Sequence, residues 1–169
     1  GTAEELILQY PLLMENDGKC NFTNIGISDS PYFREKRSGR AAATWDYDND
    51  GDLDIIVSHV DLRANAVLLK NNCNNNNHWL GLSLEGKQGP ATAIGASVIV
   101  HQGEKRALFI NQWTTTYLSN SDPRLHIGLG ENPVIDRLEI RWPDGSREVY
   151  PGPAPDQYIT FRQGYGIIE

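Results

Sequence analysis

Asp46-Tyr47-Asp48-Asn49-Asp50-Gly51-Asp52-Leu53-Asp54 places an aspartate at every second position around one glycine. So many carboxylates in so short a stretch repel one another unless something positive gathers them. When the backbone of such a loop coils, side chains at positions 1, 3 and 5 converge, here Asp46, Asp48 and Asp50. Gly51, at position 6, supplies a sharp turn that costs glycine little. An all-oxygen cage of this kind suits a hard cation, and Ca²⁺ is the ion expected. Asp52 would offer its main-chain carbonyl and Asp54 its carboxylate, directly or through water, so the expected metal set is Asp46, Asp48, Asp50, Asp52 and Asp54. The plain alternative is a solvated acidic turn, because Asp, Asn and Gly are ordinary turn residues.

The flanks decide what the loop joins. A helix-loop-helix calcium hand would carry a bidentate glutamate at position 12, where Val57 stands. Ala41 to Trp45 before the loop and Ile55-Ile56-Val57 after it are small, aromatic or β-branched, with no helical repeat. The reading is therefore strand, calcium loop, strand.

Outward from the loop, Asn16-Asp17-Gly18-Lys19 signals a hairpin, with Phe22 and Ile25 on its returning strand. Residues 28 to 40 are polar, contain Pro31 and Gly39, and read as an excursion loop. Ala66 to Leu69 is a further short strand, and the asparagine cluster 71–77 is a turn or linker by composition. Leu12-Leu13 followed by Asn16 is echoed 56 residues later by Leu68-Leu69 followed by Asn72. A period of that size suits a four-stranded blade, so residues 1–73 read as a propeller-like repeat segment. Residues 74–77 form the linker and 78–169 a second unit. There Leu80, Leu82 and Leu84, then Val98 and Val100, then Leu138 and Ile140 alternate with mostly polar neighbours, predicting about six to eight antiparallel, half-buried strands in a sandwich or barrel. The fold class expected is all-β.

The chain has 169 residues and a net charge of -7, which argues against nucleic-acid or anionic-membrane partners. No apolar run is long enough to span a bilayer. The two cysteines, Cys20 and Cys73, either pair or stand as separate thiols in turns. His59, His78, His101 and His126 share no metal-ligand spacing, and His126, in a strand pattern, is expected as a packed, hydrogen-bonded histidine. Ser119 and Ser121 lack a nucleophile elbow, Asp122 is expected to accept backbone N–H groups or to pair with Arg124 in a turn, and no enzyme is expected. Trp113 and Tyr117 are candidate ligand-binding aromatics for a sugar face, whereas Trp142 is expected in the core.

Several segments resemble known families. The loop with Ile55-Ile56-Val57 and Leu68 to Asn72 is similar to an FG-GAP or VCBS-type calcium-binding propeller repeat. His78-Trp79-Leu80-Gly81-Leu82, Ala93 to Ala96, Tyr117-Leu118-Ser119, Ser121 to Gly130 and Asp136 to Gly145 resemble the ASPIC/UnbV domain, the C-terminal module of the cartilage acidic protein group. The resemblance implies a secreted, cell-surface or periplasmic β protein without established enzymatic chemistry. The expected function is calcium-stabilised interaction or adhesion with a protein or glycan at the cell exterior. The alternative is a carbohydrate-binding module of a secreted degradative system.

Overall fold

A computed structural model describes residues 8–61, 64–73, 75–87, 91–112 and 116–168. The described chain is almost entirely strand and turn, as the alternating patterns predict. Its hairpin forms where expected: β1 (Met14–Asn16) pairs antiparallel with β2 (Phe22–Asn24). Asp17 closes the turn by accepting the Lys19 backbone N–H at 2.7 Å, a local bond that competes with regular structure and favours turns. Residues 28 to 40 are not all loop. A single helical turn, α1 (Gly26–Asp29), precedes a 3-10 turn at Pro31–Arg34, where Pro31 costs no hydrogen bond and the Ser30 hydroxyl caps Tyr32. Tyr32 and Phe33 are buried there.

The acidic loop joins β3 (Gly39–Trp45) to β4 (Asp54–His59), and β5 (Val67–Leu69) completes a sheet in the order β3-β4-β5. Strand, loop, strand is thus the observed arrangement. The 56-residue echo falls on unlike backbone: Leu68 and Leu69 lie in β5, but Leu12 and Leu13 precede β1. The small sheet leaves Trp45, Ile56 and Leu68 exposed and buries little of its own surface.

Among the described residues eight strands follow, within the range expected. One sheet contains β7 (Ser97–Gln102), β8 (Lys105–Ile110), β10 (Arg137–Arg141) and β11 (Arg147–Pro151), ordered β11-β10-β7-β8. The other contains β6 (His78–Glu85), β9 (Leu125–Gly130), β12 (Tyr158–Arg162) and β13 (Gly166–Ile168), ordered β13-β12-β6-β9. Both sheets are open, so the module is sandwich-like and not a closed barrel. Leu80, Leu82, Val98, Val100, Leu138, Ile140 and Phe161 share one core between them, and Trp142 joins it. Two details depart from the expected pattern. β12 runs parallel to β6, because the chain crosses from the β10–β11 hairpin of one sheet back into the other. Gly128 lies inside β9, opposite Trp79, rather than opening a turn.

The two parts are fastened along the edge of β3. The Ala42 carbonyl accepts the hydroxyls of Thr116 and Ser119 at 2.6 and 2.7 Å. The Thr44 carbonyl accepts the Asp122 N–H at 3.0 Å, and Ser121 Oγ accepts the Thr44 N–H at 3.3 Å. These bonds satisfy an edge that would otherwise offer unpaired backbone groups.

Candidate metal centre

The β3–β4 loop brings one oxygen from each of Asp46, Asp48 and Asp50 within 4.8 Å of one another. Gly51 makes the turn with φ +95°, a left-handed conformation that glycine adopts without strain. Asp46 is fully buried at 0% exposure, whereas Asp48 and Asp50 face solvent. Three groups hold the Asp46 carboxylate: Asp50 N–H to Oδ1 at 3.1 Å, Gly51 N–H to Oδ2 at 2.9 Å, and the Tyr158 hydroxyl to Oδ2 at 2.5 Å. Burial and the bond to Asp46 push the Tyr158 phenol far above its ordinary value, so it donates at any physiological pH.

Asp52 and Asp54 lie outside the converging triad. Asp54, 1% exposed, spends its carboxylate on the backbone N–H groups of Tyr47 at 3.2 Å and Asn71 at 2.8 Å. It clips the two ends of the loop region to the end of β5. The Asp52 carboxyl is pushed up by burial and by its acidic neighbours Asp50, Asp46 and Asp54. Lys70, just beyond β5, ion-pairs with Asp48 and reaches Asp50 at 3.5 Å. The like charges of the loop are thus gathered partly by backbone N–H groups and partly by one ammonium. The donor set is entirely oxygen, which fits a hard cation such as Ca²⁺. An open cleft of about 790 Å³, lined by Asp50, Asp52, Asn75, His78 and His126 among others, gives access to the loop from one side.

The second module forms the floor of this loop. Trp79, near the start of β6, lies so close that a Cβ on Gly51 would stand 2.0 Å from its indole nitrogen. Arg124 is clamped by Asp122 through Nε and Nη2, the latter at 2.6 Å, as expected for that pair. It then donates to the Asn49 side chain at 2.7 Å and to the Asp46 carbonyl at 3.1 Å, with its guanidinium 3.8 Å above the Tyr158 ring. His126 is packed as expected, stacked on Trp79 at 5.9 Å, but its Nδ1 is shielded without a hydrogen-bond partner. Burial lowers its pKa, against the pull of Asp46, Asp52 and Asp122.

Residues 86–167 match the family model described as ASPIC and UnbV. The chain carries an ASPIC/UnbV domain. It is 36% identical over 109 residues to cartilage acidic protein 1 of Xenopus tropicalis, covering 63% of this chain and 16% of that protein. It is 34% identical over 119 residues to human cartilage acidic protein 1, covering 68% of this chain and 18% of that protein. This chain therefore spans less than a fifth of the length of the curated relatives it matches.

Within the ASPIC/UnbV domain, Trp113 lies outside the described residues. Tyr117 is 62% exposed, but Arg40 lies 4.8 Å from its ring centre and donates to its hydroxyl at 2.9 Å. The tyrosine is engaged in joining the two parts. Ser119 and Ser121 are likewise occupied at the β3 edge. Cys20 and Cys73 are both exposed and free. Tyr158 and Lys70 were not singled out from the sequence, and Trp79 figured there only within a family motif. The one available signal was Gly81, a glycine inside an alternating strand, which marks close approach. A Cβ there would stand 2.0 Å from the Tyr158 ring.

Proposed function

We propose that the chain is a non-enzymatic, extracytoplasmic interaction module in which Ca²⁺ bound by the Asp46–Asp54 loop stabilises the fold. The observation that carries this reading is the convergence of Asp46, Asp48 and Asp50 around the Gly51 turn. Among these residues the cation would take carboxylate oxygens of Asp46, Asp48 and Asp50, with no thiol or imidazole in the set. The loop with its flanking strands supports an FG-GAP or VCBS-type repeat, and the exposed apolar residues of the small sheet support a neighbouring repeat that covers them. The match to cartilage acidic protein 1 supports placement outside the cytoplasm, and the partner there is a protein or glycan. The Ser119 hydroxyl is spent on the Ala42 carbonyl and the Ser121 oxygen on the Thr44 N–H, which supports a binding role over a catalytic one. Arg40 over Tyr117 weighs against a sugar platform and so favours interaction over the carbohydrate-binding alternative.

Thermal melting with and without chelator tests the reading. Calcium at one hundred times its Kd stabilises by about 2.7 kcal/mol, or roughly 5–10 °C for a chain of this size. Asp48→Ala should abolish that response. Identical melts of the wild-type chain in excess calcium and in EDTA would overturn the proposal.

A further inference from the structure

Asp46 is the one member of the carboxylate triad that is buried, and its orientation is set in part from outside the loop. Its Oδ2 accepts two bonds, from Gly51 N–H and from the hydroxyl of Tyr158, which lies 112 residues away in β12. Among the described residues its Oδ1 accepts only the Asp50 N–H, so within that set one lone pair of that oxygen has no partner. The phenol hydroxyl, with the Gly51 N–H, occupies Oδ2 and leaves Oδ1 as the oxygen with room for a further partner. The ring that carries it is fixed in turn. It lies against Gly81, tilts against Trp79 at 4.8 Å and supports the Arg124 guanidinium. Arg124 holds the loop at the Asp46 backbone carbonyl and at the Asn49 side chain.

We propose that Tyr158 is a positioning residue for the cation, so that calcium binding by the loop and docking of the ASPIC/UnbV domain against it form one coupled equilibrium. The inference rests on the reading that the loop binds calcium. Its physical basis is preorganisation. A carboxylate already held in its ligating orientation loses less freedom on binding, and removing such an outer partner typically weakens a metal site by about 10- to 100-fold. Coupling is reciprocal, so a cation bound more tightly by the docked state holds that state closed by the same factor.

The test is a calcium titration by calorimetry of the full chain as wild type and as Tyr158→Phe, which keeps the ring and removes only the hydroxyl. The Kd is expected to rise about 10- to 100-fold in the variant, with far-UV circular dichroism unchanged in EDTA. Arg124→Lys, which keeps the charge but loses the fork geometry, provides a second variant expected to weaken binding. Limited proteolysis across residues 71–77 reads the docking half: calcium should slow cleavage in the wild type more than in Tyr158→Phe. If the wild type binds no calcium, the underlying reading fails and the coupling with it. If the wild type binds but Tyr158→Phe keeps its Kd within twofold, or calcium protects all three equally, the coupling alone is overturned.

Discussion

Lys70 sits where a loop cation would have to compete with it. Its ammonium bridges Asp48 and Asp50, and this contact holds the Asp48 carboxyl below the usual carboxylate range. A calcium ion needs the same oxygens and is repelled by the same charge. Lys70→Met should therefore bind calcium several-fold more tightly by calorimetry, and its melt in EDTA should change little because the pair is exposed. A weaker site in that variant would mean that Lys70 orders the loop instead of competing for it. Gly51 carries two constraints at once, a left-handed φ of +95° and the indole of Trp79 against its Cα. Gly51→Ala should cost at least about 2 kcal/mol in urea unfolding, since backbone strain and a displaced aromatic ring add. The glycine and its conformation were readable from the loop pattern. Its collision with Trp79 was not, because nothing in local spacing brings residue 79 beneath residue 51.

At the scale of elements, the strands of the second module were legible because one apolar face repeats with a period of two. The outer face of its first sheet carries a different device. Glu139 on β10 accepts Arg141 at 2.9 Å and Arg147 at 2.6 Å, with its side chain only 6% exposed. Burial works to raise its carboxyl, and the two guanidiniums overcome that and hold it below the ordinary value of 4.5. The contribution is thus present above about pH 4.5 and is lost as pH falls through the lowered pKa. Glu139→Gln should melt below the wild type at pH 7, and the gap should narrow as the pH drops toward 3. A constant gap across that range would show that the ion pairs contribute nothing. The small sheet was legible strand by strand as well, yet its status as a finished element was not. Trp45 is 48% and Leu68 44% exposed. Extending the protein by a preceding repeat should raise its melting temperature and suppress dye binding to exposed apolar surface, if that face packs as repeats pack.

For the whole molecule, the organising feature is the seam between the β3 edge with its loop and the ASPIC/UnbV domain. Thr116, Ser119 and Asp122 line up on the backbone of β3, and Trp79, Arg124 and Tyr158 support the loop from below. The asparagine segment between the parts is exposed wherever it is described, so the linker does little to hold them. The seam does. Breaking it with Thr116→Ala and Ser119→Ala together should speed proteolysis across residues 71–77 by far more than either change alone. That outcome follows because both hydroxyls reach the same carbonyl, and strict additivity would argue against a shared contact.

By itself the sequence determined the all-β class, the strand-loop-strand setting of the aspartates, the hairpin at Gly18 and the alternating core of the second module. All of these depend on turn chemistry and side-chain period, which act over a few residues. Only the tertiary structure decided which aspartates converge, that Asp54 is spent on the N–H groups of Tyr47 and Asn71, and that a tyrosine 112 residues on completes the environment of Asp46. Those facts depend on which surfaces are buried together. Asp46 and Asp54 occupy equivalent ends of one acidic repeat, and their different partners arise from what the folded chain packs beside each.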